Sequence, residues 1–405
     1  MKIGVVGKPN VGKSTFFKAS TLKDVDIQNF PFTTIKANVG AGYARIKCVC
    51  KEVEKQCNPR TGFCTDGYRY IPIELVDVAG LVPGAHEGKG MGNQFLNDLI
   101  FCDALIHIVD VSGSTNEKGD SVEMGSHNPV NDIKFLEEEI DLWLIGIIKK
   151  NWRKFVRTAH MQKEKGIEAL TKQLSNINLK EEDTMEIYER LGFSDNLIEW
   201  TDDQIDQFVI EARKKTKPII IGANKIDKLI GKYGIEKTKE KLKELQSATD
   251  SRVVPIFAEG ELALRNAQKA GIVDYLYGNS DFKIKEDKIS LLSSEQKQAL
   301  DKIKDIMNVF DSTGVLNILN YAVFDKLDYI CVYPAGTKTL CDKKGNVLPD
   351  VFLMKRDSTA LDFAFKIHTD FGEKFIRAVN VKTKQVIGKD YVLKDKDMIE
   401  IIADK

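Results

Sequence analysis

The stretch Gly7-Lys8-Pro9-Asn10-Val11-Gly12-Lys13-Ser14 constrains this chain more than any other. It satisfies G-x-x-x-x-G-K-[ST] in full. Its glycines let backbone N–H groups close around phosphate oxygens, Lys13 reaches the outer phosphates, and the Ser14 hydroxyl is placed to ligate Mg²⁺. The flanks agree with it. Residues 2–6, KIGVV, are an apolar run suited to a buried parallel strand. From Thr15 onward, TFFKAS continues as a helix whose N-terminal dipole favours a bound anion. Strand, phosphate turn and helix in succession predict an α/β P-loop fold on a parallel sheet, with the whole loop from Gly7 to Thr15 against a nucleotide.

A phosphate loop alone does not choose the base. That choice falls to Asn224-Lys225-Ile226-Asp227, directly after a second buried-strand run, Lys217 to Ala223. A carboxylate there accepts hydrogen bonds from both N1–H and the 2-amino group of guanine, which adenine lacks. A site built to pair those groups is left unsatisfied by the wrong base. Asp227 is therefore the expected specificity residue, Asn224 and Lys225 shape the pocket, and the expected ligands are GTP and GDP. In "VVPIFAEGEL" (253–262), Phe257 stands where a serine usually precedes the alanine against guanine, so Ala258 and Glu259 are the weaker candidates.

Two segments suit nucleotide-sensing switches. "NFPFTTIKANVG" (29–40) offers Thr33 and Thr34, of which Thr34, beside the apolar Ile35, is preferred as an Mg²⁺ ligand. Asp77-Val78-Ala79-Gly80 fits the segment that senses Mg²⁺ and the terminal phosphate. The expected Mg²⁺ set is thus Ser14, Thr34 and Asp77, and the expected catalytic set is Lys13, Thr34 and Gly80. In many GTPases a glutamine follows that glycine and positions the attacking water; here the residue is Leu81, which cannot hydrogen-bond. Gly80, Gly84, Gly88, Gly90 and Gly92 make the 80–92 stretch permissive, as a switch requires. His86 inside it reads as an exposed loop histidine.

These residues carry a family resemblance. "GKPNVGKSTFF", "NFPFTTIKANVG", "DVAGLVPGAHEGKGMGNQFL" and "HNPVNDIKFLEEEIDLW" resemble the Obg/YchF group of translation-factor-related GTPases, and the archaeal YchF-related branch most. The C-terminal "GNVLPDVFL…DFAFKIHTDFGEKF" is similar to a TGS domain. The resemblance runs along essentially the whole chain. It implies that a hydrophobic residue at Leu81 is a family trait, and that Asn10 could ligate a K⁺ ion that neutralises developing charge between the phosphates. Asparagine also suits that turn by itself. Slow intrinsic hydrolysis, accelerated by a cation or a partner, is the implied behaviour. Bacterial members depart from the base motif and use ATP, whereas Asn224-Lys225-x-Asp227 is retained here.

The spacing between Asp77 and Asn224 exceeds what a plain G domain needs. We therefore expect a G domain at 1–114 and 216–277, a helical insertion at 115–215, a helical connection at 278–325 and a β-grasp TGS domain at 326–405. Ile133, Leu136, Ile140, Leu144 and Ile147 describe one buried helix face. Residues 147–165 hold seven lysines and arginines against one glutamate, with Lys149, Arg153 and Arg157 on one face. Such a stripe can track RNA phosphates, although a solvated face is the commoner cause. TGS domains imply RNA or ribosomal contacts by resemblance; residues 325–405, with 15 basic and 13 acidic side chains, add little to that.

Cys48, Cys50, Cys57 and Cys64 place four thiols within seventeen residues, enough for tetrahedral Zn²⁺. The alternative is a β-hairpin of reduced cysteines turning at Asn58–Gly62. Seven cysteines in the chain fit a reducing compartment. Basic and acidic residues balance at 60 each, so no global charge argues for DNA or a membrane. The expectation is a cytoplasmic, monomeric GTPase switch with a ribosomal or RNA partner. Two rivals remain: an ATPase acting as a stress-linked regulator, and a zinc- or redox-responsive binding module.

Overall fold

The computed structural model describes residues 1–21, 38–78, 99–342 and 344–404. They fall into two compact units: Met1–Ala19, Ala37–Gly40 and Glu74–Ile318 in the first, and Ser20–Lys36, Ala41–Ile73 and Leu319–Lys405 in the second. Among the described residues, no helix is long and apolar enough to cross a membrane.

The first unit is built on parallel strands. β1 (Lys2–Val6) pairs in parallel with β4 (Tyr68–Asp77) on one side and β5 (Ala104–Asp110) on the other; β6 (Ile219–Asn224) and β7 (Val253–Ile256) extend the sheet from β5. β2 (Val39–Lys47) neighbours β4, while β3 (Phe63–Thr65), which pairs antiparallel with the start of β4, and most of β2 fall in the second unit. β5 and β6 are buried along their entire length. Strands hidden on both faces must be apolar or internally paired: in ALIHIVD, His107 stays neutral and the terminal Asp110 is paired with Lys225 at 2.9 Å. Burial pushes the His107 imidazole down to about 3, with the charge of Lys8 acting in the same direction.

The first helix, α1 (Lys13–Ser20), follows the phosphate loop. The chain between β5 and β6 then forms α2 (Pro129–Met161), α3 (Gly166–Gln173), α4 (Glu181–Leu191) and α5 (Asp202–Thr216). α2 starts where Asn128 caps the Val130 amide and proline occupies the first turn. Its buried stripe is Ile133, Leu136, Ile140, Leu144 and Ile148. The expected Ile147 instead lies outside, 38% exposed, because a four-residue step from Leu144 keeps Ile148 over the seam. Arg213 on α5 clamps Asp141 on α2 through two parallel bonds, at 2.7 and 3.1 Å. The basic stripe of α2 is paired at one of its three positions: Lys149 bonds Asp206 at 2.5 Å, whereas Arg153 and Arg157 are exposed. α6 (Ile226–Tyr233), α7 (Ile235–Ser247), α8 (Ala258–Lys269), α9 (Ser294–Phe310) and α10 (Val315–Asn320) follow, and β8 (Val273–Asp274) pairs antiparallel with β9 (Lys283–Ile284) in a separate two-stranded sheet.

The second unit holds a five-stranded mixed sheet. Its strands, β10 (Tyr329–Pro334), β11 (Phe352–Lys355), β12 (Phe375–Asn380), β13 (Gln385–Ile387) and β14 (Met398–Ala403), are ordered β11-β10-β14-β12-β13 with a parallel β10–β14 pair at the centre. α11 (Ala360–Ile367) begins in a capping box of Thr359 and Asp362 and lays Ala360, Phe363 and Ala364 onto the core shared with Ile330, Val332 and Ile399. This is the β-grasp arrangement, and it accounts for the TGS-like sequence.

Residues 41–73 belong to this second unit, although the sequence spacing grouped them with the G domain. Long-range bonds hold them there: Asn58 N donates to Val347 O at 2.8 Å, and Arg60 N to Pro349 O at 2.9 Å. The reversal expected at Asn58–Gly62 is therefore a corrected one, since that stretch lies along 347–350. The hairpin turns instead at Asp66-Gly67, between β3 and β4, with φ of 52° and 80°. Positive φ at both central positions fits the primed two-residue turn for which Asp-Gly is suited.

Candidate nucleotide-binding site

The C-terminal ends of β1 and β6 bring the two sequence motifs onto one cavity of about 550 Å³, a size suited to a small-molecule ligand. Its walls include the phosphate loop from Lys8 to Thr15 and, opposite, Asn224, Lys225, Asp227, Phe257 and Glu259.

Asn224 joins the two halves. Its Nδ2 donates to Val11 O at 2.9 Å, and its Oδ1 accepts from Ala258 N at 3.3 Å. The approach is close enough that Gly12 cannot carry a side chain: a Cβ there would lie 2.3 Å from Asn224 Nδ2, and φ is +94°. Lys225, itself in the left-handed region at φ 67°, aims its Nζ back to Asn10 O at 2.8 Å and Asp110 Oδ2 at 2.9 Å. Asp110 is buried; burial opposes its charge, but hydrogen bonds from Ser112 and Lys225 hold its carboxyl below the usual range.

The two loop lysines have different jobs. Lys8 is buried, and its ammonium donates to Thr115 O and Asp132 Oδ1, each at 2.9 Å, while His127 Nε2 lies 2.8 Å from the same carboxylate oxygen. The Lys8 ammonium is therefore occupied by Thr115 and Asp132. Lys13 points the other way and forms an ion pair with Asp77. Asp77 meets that ammonium and Ser14 lines the same cavity, and carboxylate and hydroxyl oxygens are hard donors of the kind Mg²⁺ takes. Asn10, at φ 63°, donates from Nδ2 to Gly119 O at 2.9 Å, so the turn uses this asparagine structurally. Its Oδ1 is the atom that a K⁺ ion would meet.

Asp227 is 14% exposed and pairs with Lys302 of α9 at 3.3 Å. Thr34, Gly80, Leu81 and His86 lie outside the described residues. Cys48, Cys50, Cys57 and Cys64 lie in the second unit. Sequence reasoning missed Asp110, Asp132, His127 and Lys302. For Asp110 a signal was present, since an acidic residue ending a buried strand needs a cation; Asp132 and Lys302 act across more than 70 residues of chain, and His127 meets Asp132 only through the turn into α2.

Comparison with known proteins adds the following. Residues 2–136 match the family described as 50S ribosome-binding GTPase, residues 222–336 the Obg-like GTPase YGR210-like, G4 motif-containing domain, and residues 341–403 the TGS domain. A protein of Methanocaldococcus jannaschii named as an uncharacterized GTP-binding protein is 47% identical over 99% of this chain and 98% of its own length. The crystal structure of a GTP-binding protein from Pyrococcus horikoshii superposes over the full length of both chains with a TM-score of 0.78 at 38% identity. A more distant relative, the ribosome-binding ATPase YchF of Buchnera aphidicola, is 25% identical over 99% of this chain and 98% of its own. The chain belongs to the Obg/YchF family of P-loop GTPases and carries the TGS domain at its C-terminal end.

Proposed function

We propose that this protein binds GTP with Mg²⁺, hydrolyses it slowly to GDP and phosphate, and uses the difference between the two states to engage a ribosomal or RNA partner. The observation that carries the reading is the joining of two motifs at one cavity: Asn224 bonds the phosphate loop, and Asp227, one helical step further, puts a carboxylate on the same wall. Ser14, Thr34 and Asp77 would hold Mg²⁺, which neutralises phosphate charge when bound. Lys13 would exchange its Asp77 partner for phosphate oxygens. Gly80 would follow the terminal phosphate. Asn10 Oδ1 is the candidate K⁺ ligand, a role that Leu81, unable to orient water, makes useful. The ribosomal partner is supported by the relative from Buchnera, by the family matched at 2–136 and by exposed Arg153 and Arg157 on α2.

Turnover of GTP and ATP, each in KCl and in NaCl, with and without archaeal ribosomes, tests this. The expected result is a preference for GTP, faster turnover in K⁺ and stimulation by ribosomes. Equal or preferential use of ATP removes the guanine reading; indifference to K⁺ removes Asn10 as an ion ligand; indifference to ribosomes removes them as the partner.

The Lys302 contact yields a separate expectation. Its ammonium competes with guanine for Asp227, and a half-exposed ion pair is worth up to about 1 kcal/mol. Lys302→Ala should therefore tighten GDP binding by up to about fivefold, as read by titration with a fluorescent guanine nucleotide. Weaker binding in that variant would mean that Lys302 supports the base instead.

A further inference from the structure

The four clustered cysteines come from separate pieces of backbone. Cys48 follows β2 and opens a short 3-10 turn that contains Cys50, Cys57 lies in the irregular stretch beyond it, and Cys64 is the middle residue of β3. The four Sγ atoms nevertheless lie within 4.8 Å of one another. Cys48 and Cys57 are 3.7 Å apart at sulfur, and Cys50 and Cys64 are 3.8 Å apart. A tetrahedron of sulfurs around Zn²⁺, with bonds of about 2.3 Å, has edges of about 3.8 Å.

We propose that Cys48, Cys50, Cys57 and Cys64 bind one structural Zn²⁺ ion, which fastens the 48–64 segment into the core of the C-terminal unit. The spacing, C-x-C-x₆-C-x₆-C, lacks paired knuckles; the turn at Asp66-Gly67 makes up for this by folding β3 against β4 and bringing Cys64 back to the others. Small apolar packing alone could collect buried thiols, but it does not account for their neighbour. Arg69, opposite Cys64 in the β3–β4 ladder, is fully buried, and its Nη1 lies 3.6 Å from Cys57 Sγ. Its other bonds go to the carbonyls of Leu348 and Pro349, at 3.1 and 2.9 Å. Two carbonyls do not neutralise a buried cation, and the Asp350 carboxylate that feels its charge is already paired to Arg60 at 2.9 Å. Zn²⁺ held by four thiolates carries two net negative charges, and supplies the anion that Arg69 needs.

Four protein sulfurs complete the tetrahedron, so the site leaves no position for water or substrate and its role is structural. Its surroundings say what it holds. Around the thiols pack Ile71 of β4 and Cys331, Tyr333, Leu348 and Met398 of the β-grasp region. The ion thus joins the chain that precedes β4 to the C-terminal sheet within one unit.

The test uses the full chain, purified without an affinity metal. Elemental analysis is expected to find one zinc per chain, and denaturation with a chelator to expose all seven thiols. Replacement by Co²⁺ should give a thiolate-to-metal charge-transfer band with the d–d bands of a tetrahedral S₄ site. Cys57→Ser and Cys64→Ser should lose at least nine-tenths of the zinc, whereas Cys341→Ser, outside the cluster, should keep it. The wild-type spectrum decides the matter if a variant does not fold. Iron in place of zinc, metal-free protein with only three titratable thiols, or seven thiols with no metal after incubation with zinc would each overturn the proposal.

Discussion

Asp227→Asn is expected to weaken GTP binding by about 100-fold or more, from the loss of two charge-assisted hydrogen bonds worth roughly 1.5–3 kcal/mol each. The substituted amide retains one acceptor but sets a donor against the N1–H or the 2-amino group. Xanthosine triphosphate carries a carbonyl where guanine has that amino group, so it should bind the variant better than GTP does. Asp227 stands in the first turn of α6, whose start is fixed by Lys225 in the left-handed region and by its bond to Asp110. The substitution therefore leaves the pocket walls in place and alters only recognition. Equilibrium titrations of GTP, xanthosine triphosphate and ATP against both proteins provide the check. Unchanged GTP binding would remove Asp227 from base recognition and favour an enzyme that uses ATP.

Lys13→Ala should lower turnover by at least about 100-fold, since removing one preorganised group that stabilises developing charge costs roughly 3–4 kcal/mol. The fold should survive. The bonds that shape the loop run from Asn224 to Val11, from Asn10 to Gly119 and from Lys8 to Asp132, and none passes through Lys13. Asp77 would lose its cation but is 23% exposed at its side chain, so water can solvate it. Phosphate release under saturating nucleotide, alongside a thermal melt, separates lost chemistry from lost structure. Turnover at the wild-type rate would mean that Lys13 serves only to hold Asp77.

What could be read from the sequence was local. Gly7 to Ser14 and Asn224 to Asp227 are each short contiguous motifs, so spacing alone nominated residues that the fold brings to one cavity. The parallel strands at 2–6 and 219–223 were legible for the same reason, as short apolar runs. The supports of the site were not. Lys8 finds Thr115 and Asp132 across more than a hundred residues, and only the folded chain shows that this loop lysine is tied away from the cavity. The cysteine segment shows the limit most plainly. Asn58-Pro59 looked like the reversal because of its composition, but the Asp66-Gly67 dipeptide, with both residues at positive φ, turns the chain and decides which thiols meet. Membership of 41–73 in the C-terminal unit likewise rests on partners near residue 348, which no local pattern could supply.

The grip of Lys8 on Asp132 also ties the first turn of α2 to the phosphate loop. Asp132 sits in the first turn of a helix of 33 residues, under the phosphate loop, with His127 bracing the same carboxylate. Met161, at the other end, is about 44 Å further along the axis at 1.5 Å per residue. Because Arg213 clamps Asp141 and Val156 and Ala159 are buried near the far end, any displacement of Asp132 would be carried along α2 and α5 together, and the exposed guanidinium groups of Arg153 and Arg157 stand on the outer half of that body.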